Sequence, residues 1–81
     1  MNGQRRTWIV RNGGVQVGHF YASRAAAYRL VARMRDEYRI GISDISALTV
    51  YVREPGTKAF DLYERLDFAA EICRTEEEGA P

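Results

Sequence analysis

The chain has 81 residues, of which 46% are hydrophobic and 28% are charged, with a net charge of +1. This profile is typical of one small globular domain and excludes a disordered chain. No apolar run approaches the roughly 18 to 20 residues of a membrane-spanning helix, and the N-terminus lacks an apolar signal segment. We therefore expect one cytoplasmic domain over residues 1–81, with no membrane contact and with flexible ends at 1–5 and 75–81.

The small net charge conceals two halves of opposite sign. Residues 1–39 contain eight arginines against two carboxylates, a net +6, whereas residues 40–81 contain four basic and nine acidic side chains, a net −5. Such asymmetry indicates either a basic binding face or two surfaces that attract each other within the fold. The single cysteine, Cys73, has no internal disulfide partner, and we expect it to be a small buried residue.

The first predicted element is a β-hairpin. The runs RTWIVR (6–11) and VQVGHFY (15–21) are rich in β-branched and aromatic residues, and an Asn-Gly-Gly turn separates them. Two registers, Arg11 with Gly14 or Asn12 with Val15, give the same alternation of side chains. The face toward the core would contain Trp8, Val10, Val15, Val17 and His19. The other face would contain Ile9, Arg11, Gln16, Gly18 and Phe20, a mixed apolar and basic surface that one helix layer leaves open.

The main helix is predicted over residues 23–39. Ser23 supplies an N-cap oxygen, and three alanines in the first turns favour helix formation. One apolar arc contains Ala27, Leu30, Val31, Met34 and Tyr38. Beside it lies what we call the arginine strip, formed by Arg24, Tyr28, Arg35 and Arg39. This strip is either a solvated flank whose arginine stems cover the core edge or a contact surface for phosphates or carboxylates.

The C-terminal half has one ambiguous segment. Residues 46–54 predict a third strand, and Pro55-Gly56 suits the centre of a type II turn, which predicts a fourth strand over 58–63 and a helix over 64–74. The competing interpretation begins a helix at Thr57. Its apolar face would contain Ala59, Leu62, Tyr63, Leu66, Ala69, Ala70 and Cys73. We favour the strand, because Pro-Gly between two alternating runs indicates a hairpin.

The predicted fold class is α+β, a single small domain in the order ββαββα. Its antiparallel sheet of three to four strands would carry two helices on one face, with the strand order left open. No catalytic set is present: His19 is expected to face the core, and the serines lie at a cap and in a connection. One Cys and one His in scattered positions give no metal-ligand spacing. We predict no enzyme, no metal site and no cofactor.

Binding to a partner remains as the predicted function. The candidate contact residues are Arg11, Gln16, Phe20, Arg24, Tyr28, Arg35 and Arg39. A protein partner ranks first, because a balanced charge without chemistry suits protein contacts, and we expect a monomer or a weak dimer. The alternative is a small DNA- or RNA-binding domain that uses the basic N-terminal half, since the topology loosely resembles the arm-binding domains at the start of phage integrases.

In its small size, charge segregation and exposed aromatics, the chain resembles the phage-encoded anti-CRISPR inhibitor proteins. That resemblance implies binding to a subunit of a CRISPR surveillance complex in the cytoplasm of the host bacterial cell, blocking target DNA binding or nuclease recruitment. The acidic residues would then stand in for DNA phosphates, or the arginine strip would engage acidic partner residues. The acidic residues concerned are Asp61, Glu64, Asp67 and Glu71.

Overall fold

A computed structural model describes residues 5–71 of the chain. The elements are β1 (Thr7–Asn12), β2 (Val15–Tyr21), α1 (Arg24–Arg39), β3 (Leu48–Arg53) and β4 (Asp61–Leu66), followed by a helical turn at 68–71. All three strand pairs are antiparallel, and the strand order is β2-β1-β3-β4. The predicted α+β class with the order ββαββα is confirmed. The predicted flexible ends, 1–5 and 75–81, lie outside the described residues except for Arg5, which is exposed. Cys73, which was predicted to be buried, also lies outside the described residues.

One core lies between the sheet and α1. It is formed by Trp8, Val10, Ala27, Leu30, Val31, Met34, Leu48, Val50 and Phe68. Four of the five residues in the predicted apolar arc of α1 are buried in this core. The fifth, Tyr38, packs at the margin of the core, with its ring centroid 6.2 Å from that of Phe68. Both helical segments therefore cover the same face of the sheet, as the sequence predicts.

The hairpin adopts one of the two predicted registers, with Asn12 paired to Val15 across a Gly13-Gly14 turn. Both glycines have positive φ, at 62° and 86°, which this tight turn requires. The side-chain amide of Asn12 forms hydrogen bonds with the loop before β3. Its oxygen accepts a hydrogen bond from the Ser46 backbone amide at 3.1 Å, and its nitrogen donates to the Asp44 backbone carbonyl at 3.0 Å. Asn12 thus fastens the loop before β3 to the hairpin.

Helix α1 begins as its sequence predicts. The Ser23 side chain accepts a hydrogen bond from the Ala26 amide at 3.2 Å, which satisfies one of the free donors of the first turn. At the other end, the amides of Gly41 and Ile42 donate to the carbonyls of Tyr38 and Glu37 and close the last turn. The chain then crosses to β3, which lies beside β1 on the side opposite β2.

The predicted turn, fourth strand and following helix are all present in the C-terminal half, but the predicted bounds of the strand and the helix are wrong. The turn at Pro55-Gly56 forms with a hydrogen bond from the Thr57 amide to the Glu54 carbonyl, and no helix begins at Thr57. The strand that follows spans Asp61–Leu66 rather than 58–63, so residues 64–66 belong to β4 and not to a helix. The next helical turn starts at residue 68, where the Asp67 carboxylate caps the Ala70 amide at 3.0 Å. Pairing with β3 decides this boundary, and no local pattern contains that information.

Two residues expected in the core stay outside it. His19 is exposed, and Val15 is 67% exposed, although both were predicted to face α1. Val15 sits beside the turn on the edge strand, with only one neighbouring strand. The alternation of β2 is interrupted beyond Val17 by a bulge, which moves His19 out of the inward-facing series.

Candidate functional site

The side of the sheet that faces away from α1 carries the residues of greatest functional interest. We call this surface the outer face. Its positions follow from the pairing register, because side chains of cross-strand partners lie on the same side of a sheet. One row across the four strands contains Gln16, Arg11, Thr49 and Arg65, the next contains Ile9, Tyr51 and Leu62, and the third contains Thr7 and Arg53. Every charged side chain in these rows is an arginine.

Two of the arginines lie on aromatic rings. The Arg11 guanidinium is 4.4 Å from the centroid of Tyr51, and the Arg53 guanidinium is 5.0 Å from the centroid of Phe60. Arg53 also donates to the Thr7 hydroxyl at 3.4 Å. Cation–π contacts at exposed sites contribute about 0.5–1 kcal/mol each, and they hold the planar guanidinium groups in place on the sheet.

Phe20 and Phe60 form a second feature of the outer face, which we call the ring pair. Their centroids are 6.4 Å apart and their planes are inclined by 32°. Phe20 comes from the edge strand β2, and Phe60 immediately precedes β4 at the opposite edge, so the two side chains approach each other over the central strands. Phe20 is nevertheless 63% exposed.

A bulge in β2 positions Phe20. Between the pairs Val10–Val17 and Trp8–Tyr21, β1 contributes one residue and β2 contributes three. Gly18 has a φ of 73°, and a Cβ at that position would clash with the Tyr21 hydroxyl and the Leu30 side chain. The positive φ therefore favours glycine at this position, and the bulge sets the direction in which the following residues project.

Ile9 corrects one part of the sequence prediction. Its place on the outer face suggested an open apolar surface, but Ile9 is only 1% exposed and is not part of the core beneath α1. Its cross-strand partner is Tyr51, and Phe20 projects from the bulge opposite it. Ile9 is thus buried within the outer face, in the same row as Tyr51.

The arginine strip has a different environment, because β4 lies against its first turns. Arg24 donates to the Tyr63 hydroxyl at 3.0 Å, and the Tyr28 hydroxyl donates to the Glu64 carboxylate. The hydrogen bond to Tyr63 raises the pKa of Arg24, while partial burial, followed by the bond to Glu64, raises the pKa of Tyr28. Both groups therefore keep their protons at neutral pH and serve as hydrogen-bond donors within the domain.

The remaining strip residues lie further along α1. Arg35 is 3.7 Å from the Glu71 carboxylate, and Arg39 lies in the exposed last turn. The basic helix thus meets the acidic C-terminal half at two carboxylates, Glu64 and Glu71. Of these two contacts, the one between Arg35 and Glu71 joins opposite charges, whereas the partner of Glu64 is the neutral hydroxyl of Tyr28.

The predicted contact residues therefore form two separate sets. Arg11 and Gln16 are cross-strand partners on the outer face, and Phe20 lies nearer the other end of that face, beside Phe60. Arg24, Tyr28 and Arg35 instead contact the domain's own C-terminal residues on the α1 side. The sequence assigned no role to four residues that complete the outer face. These are Tyr51, Arg53, Phe60 and Arg65. The alternation of β3 already placed the first two opposite the core, but the ambiguous segment concealed the last two.

The described residues 5–71 contain no group of three or more His, Cys, Asp or Glu side chains that could hold a metal ion. No helix within that range is long and apolar enough to cross a membrane.

Comparison with known proteins finds no matching family model, and no curated protein or solved structure is significantly similar to this chain.

Proposed function

We propose that this protein is a small non-catalytic module that binds nucleic acid on the outer face of its sheet. The observation that supports the proposal is the positive charge of the outer face. Arg11, Arg53 and Arg65 occupy outer-face positions on three neighbouring strands, and the strand rows between them hold no Asp or Glu. Such a surface attracts phosphate groups, which supply most of the affinity in nucleic-acid binding.

The near-zero net charge of the chain does not oppose this proposal, because the charges are segregated. Two carboxylates of the C-terminal half, Glu64 and Glu71, contact residues of α1 on the other side of the sheet. Near the outer face, Glu54 accepts from Arg6 at 3.1 Å. A strand of phosphates that lies over β1, β3 and β4 would meet arginines first.

Arginine suits this role because its planar group donates several hydrogen bonds to phosphate oxygens while its face rests on an aromatic ring. Arg11 on Tyr51 and Arg53 near Phe60 have this arrangement. Their side chains are ordered before a ligand arrives, which lowers the entropic cost of binding.

The test is a salt titration of binding to labelled single-stranded and duplex oligonucleotides between 50 and 200 mM salt. We compare the double variant Arg11→Gln/Arg65→Gln with Arg29→Gln/Arg33→Gln, which removes the same charge from exposed positions on α1. The outer-face variant should weaken binding and reduce the slope of log K against log salt by about 1.4 for single strands, whereas the helix variant should change it little. Equal effects of the two variants, or no binding at 50 mM salt, would contradict the proposal.

A protein partner is the second candidate, as in inhibition of the anti-CRISPR type. The observation that favours it is a pair of isoleucines, Ile40 and Ile42, which are 70% and 69% exposed in the loop after α1. Exposed apolar side chains close together are common at protein contacts. If no nucleic acid binds, a pull-down from bacterial lysate with wild type and with Ile40→Asp/Ile42→Asp would test this candidate, and equal recovery of partners by both proteins would reject it.

A further inference from the structure

We infer that the ring pair is a stacking site for an unpaired base, so that the ligand of the outer face is a single-stranded nucleic acid. The inference rests on the proposed function and specifies its ligand. It begins from the exposure of Phe20, which leaves 63% of an aromatic residue in water although a partner ring lies 6.4 Å away. Bases stack on such rings whatever their sequence, because every base has a π-face.

The position of Phe20 is built into the fold. The bulge around Gly18 inserts extra residues into β2, and the positive φ of Gly18 favours glycine at that position. Bulges of this kind re-aim a side chain, and here the side chain is aimed over the sheet toward Phe60.

The surroundings of the ring pair suit a nucleotide. A shallow depression beside Phe20 is lined by Arg5, Arg6 and Thr7, and a second depression, on the far side of Thr7, is lined by Arg53 and the Pro55-Gly56 turn. Arg5 borders both. A base stacked on Phe20 would leave its phosphate near the guanidinium groups of Arg5 and Arg53. Glu54 also borders the second depression, where it pairs with Arg6.

Duplex DNA cannot use this site, because its bases are already stacked and paired inside the helix. A single strand can turn its bases toward the sheet while its phosphates follow the arginines. The stacking site therefore favours single strands over duplexes. The three outer-face arginines alone would give no such preference, since phosphates are present in both.

The experiment measures fluorescence anisotropy at 50 mM salt with four labelled probes of equal length. The probes are oligo-dT, oligo-rU, a DNA duplex and an abasic single strand that keeps the phosphates but lacks bases. Wild type should bind oligo-dT or oligo-rU about 5- to 150-fold more tightly than the abasic strand, the range expected for one stacked base.

Three variants locate the effect. Phe20→Ala should abolish the preference for base-bearing strands, Phe20→Tyr should retain it, and Ile42→Ala, which removes an equally exposed apolar side chain elsewhere, should leave it unchanged. Equal binding of the base-bearing and abasic strands by wild type, or duplex binding as tight as single-strand binding, would overturn the stacking site and leave the proposed function intact. Failure to bind any of the four probes would overturn both.

Discussion

Tyr28 donates its hydroxyl hydrogen to the carboxylate of Glu64, and this bond joins α1 to β4. Beside it, Arg24 donates to the hydroxyl of Tyr63, whose ring packs edge-on against Trp8 at 4.8 Å. The polar contacts between the basic and acidic halves of the chain thus lie next to the core. These contacts engage Arg24 and Tyr28 within the domain, whereas Arg29, Arg33 and Arg39 of the same helix are exposed.

The Tyr28–Glu64 contact predicts how stability changes at alkaline pH. The folded state raises the pKa of Tyr28 above its ordinary value near 10, so above pH 10 the unfolded chain loses this proton while the folded chain retains it. The stabilisation is complete below pH 10 and is lost as the pH rises toward the pKa of the folded state. We expect the free energy of unfolding to fall more steeply above pH 10 in wild type than in Tyr28→Phe.

Urea unfolding of both proteins at several pH values between 8 and 11 measures this difference. The other ionisable groups are common to both proteins, so their contributions cancel in the comparison. Parallel curves for wild type and Tyr28→Phe would show that Tyr28 has the same pKa in both states.

A second prediction concerns the contribution of Trp8 to the stability of the domain. Trp8 is 5% exposed, and its side chain lies between α1 and Tyr63. Replacement by alanine should lower the free energy of unfolding by about 3–5 kcal/mol, because it removes a large buried ring and leaves a cavity. Trp8→Phe should cost less, since it keeps a ring in the same space. A Trp8→Ala protein as stable as wild type in urea unfolding would mean that this face of the hairpin does not form the core.

These residues also show how far the sequence predicts the fold. Trp8, Val10 and the apolar arc of α1 follow from periodicity within a single element, and Ser23 marks the helix start by its own chemistry. The sequence does not reveal that Tyr63 and Glu64, two consecutive residues, both contact α1. Both residues reach α1 because the pairing of β3 with β4 is irregular between Val50 and Tyr51, which interrupts the two-residue alternation of β4. The apolar residues around β4 therefore also have the spacing of a helix.

The sequence likewise predicts only part of the candidate site, because the rest depends on irregular strand pairing. Arg11 and Gln16 lie in the regular portion of the hairpin, where alternation alone assigns them to the outer face. Phe20 was assigned to that face by the same alternation, but its approach to Phe60 depends on the bulge and on the position of β4. A contact between residues forty positions apart in the chain is set by tertiary pairing, and local pattern carries no signal for it.

The bulge leads to a final prediction, which concerns Gly18. Alanine at this position must adopt a φ near 73° and must also displace the Tyr21 hydroxyl or the Leu30 side chain. Gly14 provides a matched control, because its φ is 86° but a Cβ there meets nothing within 4 Å. Gly14→Ala should therefore cost only the backbone strain of about 1–2 kcal/mol, and Gly18→Ala should cost more. Urea unfolding of the two variants measures the difference.

Only Gly18→Ala should also change binding. Relief of the clash would alter the bulge and move Phe20 away from Phe60, so the preference for base-bearing over abasic strands should decline in Gly18→Ala and persist in Gly14→Ala. The measurement is anisotropy under conditions in which circular dichroism shows both variants to be folded. If Gly18→Ala is no less stable than Gly14→Ala and binds like wild type, then the bulge tolerates a side chain and does not control the position of Phe20.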